Sequence, residues 1–199
     1  MVLIGLSSGI VLISSLSLIV IFILNGSPII SIFLITALAG GTAGFLPFNK
    51  FPAKTFVGDV GAQFMGFMIA VIAIVGVAKT YTLVVLIAPV LVLGLPIFDT
   101  LFAIIRRIKK GKSLKAVFQP DKGHLHHRLI ARGYTQKQAV IILYAITAAL
   151  GMFAIIFVYD GIFKALAFMF VVVIMLWIGR AELSKYNNDL LKSNKKDME

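Results

Sequence analysis

"LIGLSSGIVLISSLSLIVIFIL", Leu3 to Leu24, runs for 22 residues without one charged side chain. About 18 or more consecutive apolar residues are enough for a helix to cross a bilayer. The stretch is longer than the roughly 7–15-residue core of a secretory signal, and no basic residue precedes it, so it reads as a retained span. In hydrocarbon every backbone polar group needs a partner within the protein, and a single segment satisfies its own groups only as a helix. The rest of the 199 residues continue the pattern: 60% are hydrophobic, 14% are charged, and the mean hydropathy is +1.02. A soluble domain carries about 25% charged residues. The expected fold is all-α, a polytopic integral membrane protein. Cysteine is absent, which excludes disulfides and thiolate chemistry.

The pattern predicts about six spans. After the first, "NGSP" (Asn25 to Pro28) is a turn, with Ser27 as cap and Pro28 as the first helical residue. The second helix covers about Ile29 to Leu46; its "AGGTAG" suits close helix packing in lipid. "PFNKFPAKTFVGD" is a polar break, and the third helix runs from about Asp59 to Val77. A fourth, about Tyr81 to Ile105, is interrupted by Pro89, Gly94 and Pro96. A long basic segment follows, about Arg106 to Tyr134. The fifth helix opens at "TQKQ", where Thr135 and Gln138 have capping-box spacing, and ends near Tyr159. The sixth covers about Phe163 to Ile178.

The net charge of +11 has a one-sided distribution. Of 19 Lys and Arg, 17 fall in the second break, in the basic segment and its flank, or in the C-terminal tail; only Lys79 and Lys164 fall on the other side. Basic residues favour the cytoplasmic loops. The expectation is a multi-pass membrane protein with both termini in the cytoplasm. Residues 1–180 form the membrane domain, with cytoplasmic loops at 47–58 and 106–134, and residues 181–199 form a polar tail. The charge needs no nucleic acid to explain it, and the basic loop lacks the interleaved aromatics that would receive bases.

Few ionisable groups touch the apolar segments. Asp59, in "FVGDVGAQFMG", reads as a helix N-cap or as a hard-cation ligand, with Gly58 and Gly61 allowing a phosphate close to the backbone. Asp99, in "GLPIFDTLFAIIRR", lies seven residues before Arg106, about 10 Å deeper along a helix. It reads as a salt-bridge partner of Arg106 or Lys54, as a hydrogen-bond partner of the turn opened by Pro96, or as a catalytic group. "DKGHLHHRL" places His124, His126 and His127 beside Asp121, Lys122 and Arg128. In a helical turn His124 and His127 would share a face, with His126 pointing elsewhere. A zinc site wants about four ligands, and the surrounding cations repel a metal while attracting an anion. Loop packing or a pH-sensitive patch is the structural alternative. Binding an anionic substrate, with proton transfer, is the favoured reading. Carboxylates at the membrane edge suit Mg²⁺; a basic, His-rich loop suits a pyrophosphate; the spans suit a lipid co-substrate. Together they point to phosphoryl-type transfer onto a lipid at the cytoplasmic face.

Four stretches, "NKFPAKTFVGDVGAQFMGF", "GLPIFDTLFAIIRRIKKGKS", "DKGHLHHRL" and "GYTQKQAVIILY", resemble in order and spacing the polyprenyl-phosphate N-acetylhexosamine-1-phosphate transferases. These are the WecA- and TagO-like bacterial enzymes related to MraY. The "PIFDT" and "HLHHR" forms resemble the WecA and TagO branch. The resemblance implies a Mg²⁺-dependent enzyme, with Mn²⁺ as a substitute. It would move N-acetylglucosamine-1-phosphate from UDP-N-acetylglucosamine to undecaprenyl phosphate and release UMP, for cell-envelope glycans such as teichoic acid or lipopolysaccharide. It also implies that Asp59 binds the metal, that Asp99, His126 and His127 are catalytic, and that His124 contacts the nucleotide-sugar. Asn49 and Lys54 would be substrate contacts in the adjoining loop. Arg106, Arg107 and Arg128 would hold phosphates or lipid head groups, although positive-inside anchoring alone accounts for them.

The family also carries an Asp-Asp pair on an earlier cytoplasmic loop, and no Asp-Asp pair occurs in this chain. "GLSSGI" begins at Gly5, where the family has a longer preceding run, and "GAQ" follows Asp59 where many members have "GSL" or "GSQ". The sequence thus resembles the C-terminal part of such an enzyme, incomplete for activity by itself. The alternative is a non-catalytic or split-enzyme membrane subunit that binds lipid phosphate or nucleotide-sugar. Its partner would be an N-terminal half or a second copy of the chain. A His-loop metal transporter would need carboxylates or histidines at mid-membrane depth, and none is found there.

Overall fold

The computed structural model describes residues 5–77, 83–111, 124–164, 166, 168–170 and 172–173, with backbone alone at 83–86 and 109–111. Among them the regular structure is entirely helical. Seven helices follow in order: α1 (Leu6–Leu24), α2 (Ile29–Asn49), α3 (Gly58–Val77), α4 (Leu83–Val92), α5 (Gly94–Gly111), α6 (Leu125–Ala131) and α7 (Gln136–Asp160). Four of these, α1, α2, α3 and α7, are long and apolar enough to cross a membrane. Residues 162–164, 166, 168–170 and 172–173 are also helical, within the sixth predicted span. The rest of that span, the tail over 181–199, and Asp121 and Lys122 lie outside the described residues.

The first predicted span is the hub. It packs against α2, α3, α4 and α7. Of its span 44% is buried, against 22–33% for the other three, so α1 is the helix the others surround. Leu18, Ile21 and Phe22 of α1 meet Ile35 of α2, Ile72 of α3, Val92 of α4 and Ala154 of α7 in one apolar cluster. Small residues on α1 let its neighbours approach, as expected for helices that associate by close packing in lipid. The clearest case is Gly9: Tyr144 of α7 lies across it, and a Cβ there would collide with the phenol ring. The same hydroxyl donates to the Gly5 carbonyl, which ties the start of α1 to α7.

The predicted fourth span is two helices, broken at Leu93. Proline has no N–H to give, so Pro96 cannot bond to the Val92 carbonyl. The chain restarts at Gly94, which leaves Pro96 in the first turn of α5, where N–H groups go unpaired anyway. The Leu93 N–H still bonds to the Pro89 carbonyl and the Ile97 N–H to the Leu93 carbonyl, so the two helices are joined with little loss. The basic segment is not one continuous loop. Arg106 to Gly111 complete α5, and Leu125 to Ala131 form α6. The capping box at α7 is formed: the Gln138 N–H donates to Thr135 Oγ1 at 3.3 Å and the Thr135 N–H to Gln138 Oε1 at 2.8 Å.

Candidate active site

A cavity of about 620 Å³ lies among α1, α3, α5, α6 and α7. Most of its wall is apolar, from Leu6 and Ile10 of α1, Ile69 of α3 and Leu143 of α7. Four ionisable residues converge on it: Asp59, Asp99, His124 and His126.

Asp59 arrives from α3. It sits in the first turn, not at the cap, where its charge faces the positive end of the helix dipole. Gly58 has a φ of +65°, in the left-handed region that favours glycine, so the turn into α3 explains that residue without a ligand. The loop before it is fixed by Asn49, which is only 2% exposed. Asn49 Oδ1 accepts from Ser8 Oγ at 2.8 Å, and Asn49 Nδ2 donates to the Thr55 carbonyl at 3.0 Å. The N–H groups of Lys54 and Thr55 both reach the Phe48 carbonyl. Asn49 is thus engaged with α1 and its own loop, and it does not border the cavity.

Asp99 arrives from α5 and bonds to the start of α6. Its Oδ2 meets His124 Nδ1 at 2.9 Å, and its Oδ1 accepts the Leu125 N–H at 2.8 Å. One carboxylate therefore grips a histidine ring and caps the start of α6 from another part of the chain. The hydroxyl of Thr100, the next residue, turns back to the Pro96 carbonyl at 2.8 Å.

The histidine geometry differs from the helical-turn expectation. His124 has φ −57° and ψ 153°, so it is the N-cap and stands outside the helical repeat. It is His124 and His126 that border the cavity together, with rings parallel within 2° and centroids 6.0 Å apart. His127 stacks at a tilt on His126, centroids 4.1 Å apart, and does not border the cavity. Burial lowers the His126 pKa below its ordinary 6.5, and the charges of His127 and His124 push it the same way, against an opposing pull from Asp99. His126 is accordingly held neutral near pH 7.

The remaining sequence candidates stand outside the cavity lining. Lys54 is exposed on the α2–α3 loop, Arg128 is exposed on α6, and Arg106 and Arg107 lie on α5 beyond Asp99. Ser7 and the α1 wall were not anticipated, nor was the Leu125 N–H. The polar pair in "GLSSG" was the only hint of the first, and a backbone donor leaves no trace in a sequence. Among the described residues no three His, Asp or Glu side chains gather as a metal site. Mg²⁺ asks for less: one or two carboxylates, with waters and substrate phosphates completing its shell. Asp59 fits that need, since it borders the cavity and no hydrogen bond or ion pair occupies it among the described residues.

The chain is similar to several known proteins. Residues 2–77 match the model of glycosyl transferase family 4. The chain is 37% identical over 188 residues to a probable undecaprenyl-phosphate N-acetylglucosaminyl 1-phosphate transferase of Bacillus subtilis, covering 94% of this chain and 51% of that relative. It is 38% identical over 118 residues to a decaprenyl-phosphate N-acetylglucosaminephosphotransferase of Mycobacterium leprae, covering 54% and 29%. It is 32% identical over 156 residues to a phospho-N-acetylmuramoyl-pentapeptide-transferase of Chlamydia trachomatis, covering 76% and 44%. The chain spans about half the length, or less, of these relatives.

Proposed function

The chain belongs to glycosyl transferase family 4, and from that premise we propose that it transfers N-acetylglucosamine-1-phosphate from UDP-N-acetylglucosamine to undecaprenyl phosphate. The products are undecaprenyl-pyrophosphate-N-acetylglucosamine and UMP. The observation that carries the proposal is the cavity on which Asp59, Asp99, His124 and His126 converge beneath apolar walls.

The reaction is a single displacement. An oxygen of the lipid phosphate attacks the sugar-bearing phosphorus. A new P–O bond forms, the bond from that phosphorus to the bridging oxygen breaks, and UMP leaves with the electron pair. In such transfers the protein contributes positioning and electrostatic stabilisation more than covalent chemistry. Asp59 would hold Mg²⁺, which when bound would neutralise pyrophosphate charge. His126, neutral, accepts a proton or a hydrogen bond. His124 is presented by Asp99. The apolar walls exclude water and face the lipid. His127 supports the His126 ring, and the cations of α5 and α6 raise the local concentration of anionic substrates. Six spans with both termini in the cytoplasm put the cavity on the cytoplasmic side, where UDP-sugars are found. The basic segment and the 181–199 tail lie on that same side.

The test is transfer in proteoliposomes with labelled UDP-N-acetylglucosamine, undecaprenyl phosphate and Mg²⁺, following label into the lipid extract and UMP into the aqueous phase. Both products appearing in equal amounts supports the proposal. Binding of either substrate with neither product formed would identify the chain as the binding subunit of a split enzyme instead.

A further inference from the structure

We propose that Asp99 is a positioning residue for His124, fixing which ring nitrogen carries the proton. An ionised carboxylate only accepts hydrogen bonds. Facing Asp99 Oδ2 at 2.9 Å, Nδ1 of His124 must therefore be the protonated nitrogen. In the neutral ring Nε2 then holds the lone pair. The other oxygen of Asp99 is taken by the Leu125 N–H at 2.8 Å, a donor fixed at the start of α6. Two bonds from adjacent residues to one carboxylate set both the ring and the helix end. Neither His124 nor Asp99 is more than about a third exposed, so water competes poorly for these bonds.

The tautomer narrows what His124 recognises. A neutral ring with Nε2 unprotonated accepts; it does not donate. It is matched to a hydroxyl or N–H of the nucleotide-sugar, or to a proton released in the reaction. A phosphate oxygen, itself an acceptor, is not its partner. This departs from the anion-gripping role expected of the whole histidine cluster.

An amide at position 99 cannot reproduce the arrangement. Asparagine has one acceptor oxygen and one NH₂ group. The Leu125 N–H can only donate, so it claims the oxygen. The NH₂ then faces His124 Nδ1, which must give up its proton to accept, and the proton moves to Nε2. Asp99→Asn therefore inverts the tautomer with almost no change in size. The same logic explains why an Asp→Asn change behind the histidine of a Ser-His-Asp triad lowers kcat by about 10⁴-fold.

The chain has three histidines, so ¹⁵N-histidine labelling of the intact protein gives three ring systems, assigned by His126→Gln and His127→Gln. In mildly alkaline buffer the expected result is a His124 ring protonated at Nδ1 and bare at Nε2. In Asp99→Asn the pattern reverses, while the His126 and His127 signals persist and report an intact fold. A wild-type His124 protonated at Nε2 or at both nitrogens overturns the proposal, as does an unchanged tautomer in Asp99→Asn. The wild-type spectrum is sufficient by itself if the variant does not fold. A second arm rests on the transfer reading: in the active transferase Asp99→Asn lowers kcat by about 10²–10⁴-fold with a smaller change in KM. An inverted tautomer with unchanged kcat would leave the positioning intact and remove His124 from the reaction, so the two failures are distinguishable.

Discussion

At the scale of single residues, the cavity holds two carboxylates in opposite conditions. Asp99 is spent on His124 and the Leu125 N–H, while Asp59 is exposed. This separates a structural carboxylate from one available to a cation. His126 yields a pH prediction. Its pKa is lowered by burial and by the neighbouring histidines, so the folded state resists a proton that the unfolded chain takes up at about 6.5. Stability therefore falls as pH drops below about 6.5, until the folded-state pKa is also passed. The acid limb of kcat/KM for transfer should lie below pH 6.5, and His126→Gln should remove it. A limb at or above that value would contradict the assignment. Asp59 and the histidines were legible in the sequence because charged and titratable groups stand out beside apolar runs. The Asp99–His124 bond was not, because its partners lie 25 residues apart and meet only when α6 folds against α5.

At the scale of elements, local chemistry was readable and tertiary junctions were not. The capping box of α7 depends on two residues three apart, and sequence gave it correctly. The seven-residue α6 is too short to show a hydrophobic period, and missing it misplaced the histidine faces. The break at Leu93 was foreshadowed by Pro89, Gly94 and Pro96, but propensity alone could not say that two helices would result. Two substitutions rank these junctions. Thr135→Ala removes an exposed cap and should cost about 1 kcal/mol. Asn49→Ala strips the buried Ser8 hydroxyl and the Thr55 carbonyl of their shared partner, which should cost about 1–3 kcal/mol and loosen the loop that leads to Asp59. Unfolding in mixed micelles measures both. An Asn49→Ala loss no larger than that of Thr135→Ala would mean that the α2–α3 loop is held by something else.

At the scale of the whole molecule, the account joins a helical bundle organised around α1 to a one-sided distribution of charge. Neither depends on the other, and each is separately testable. The absence of cysteine makes topology directly measurable. Lys54→Cys should react with an impermeant thiol reagent only from the cytoplasmic side, and Lys164→Cys only from the opposite side. Reaction of both from one side would refute the six-span arrangement. The central claim is that the cavity bordered by Asp59, His124 and His126 receives a nucleotide-sugar with Mg²⁺. The most direct measurement is calorimetric titration of the purified full chain with UDP-N-acetylglucosamine, with and without Mg²⁺, in the wild type and in Asp59→Asn. The account predicts binding that strengthens at least about 10-fold with Mg²⁺ in the wild type, about 1.4 kcal/mol, and loses that gain in Asp59→Asn. Equal affinity in all four titrations, or no binding in any, would contradict it.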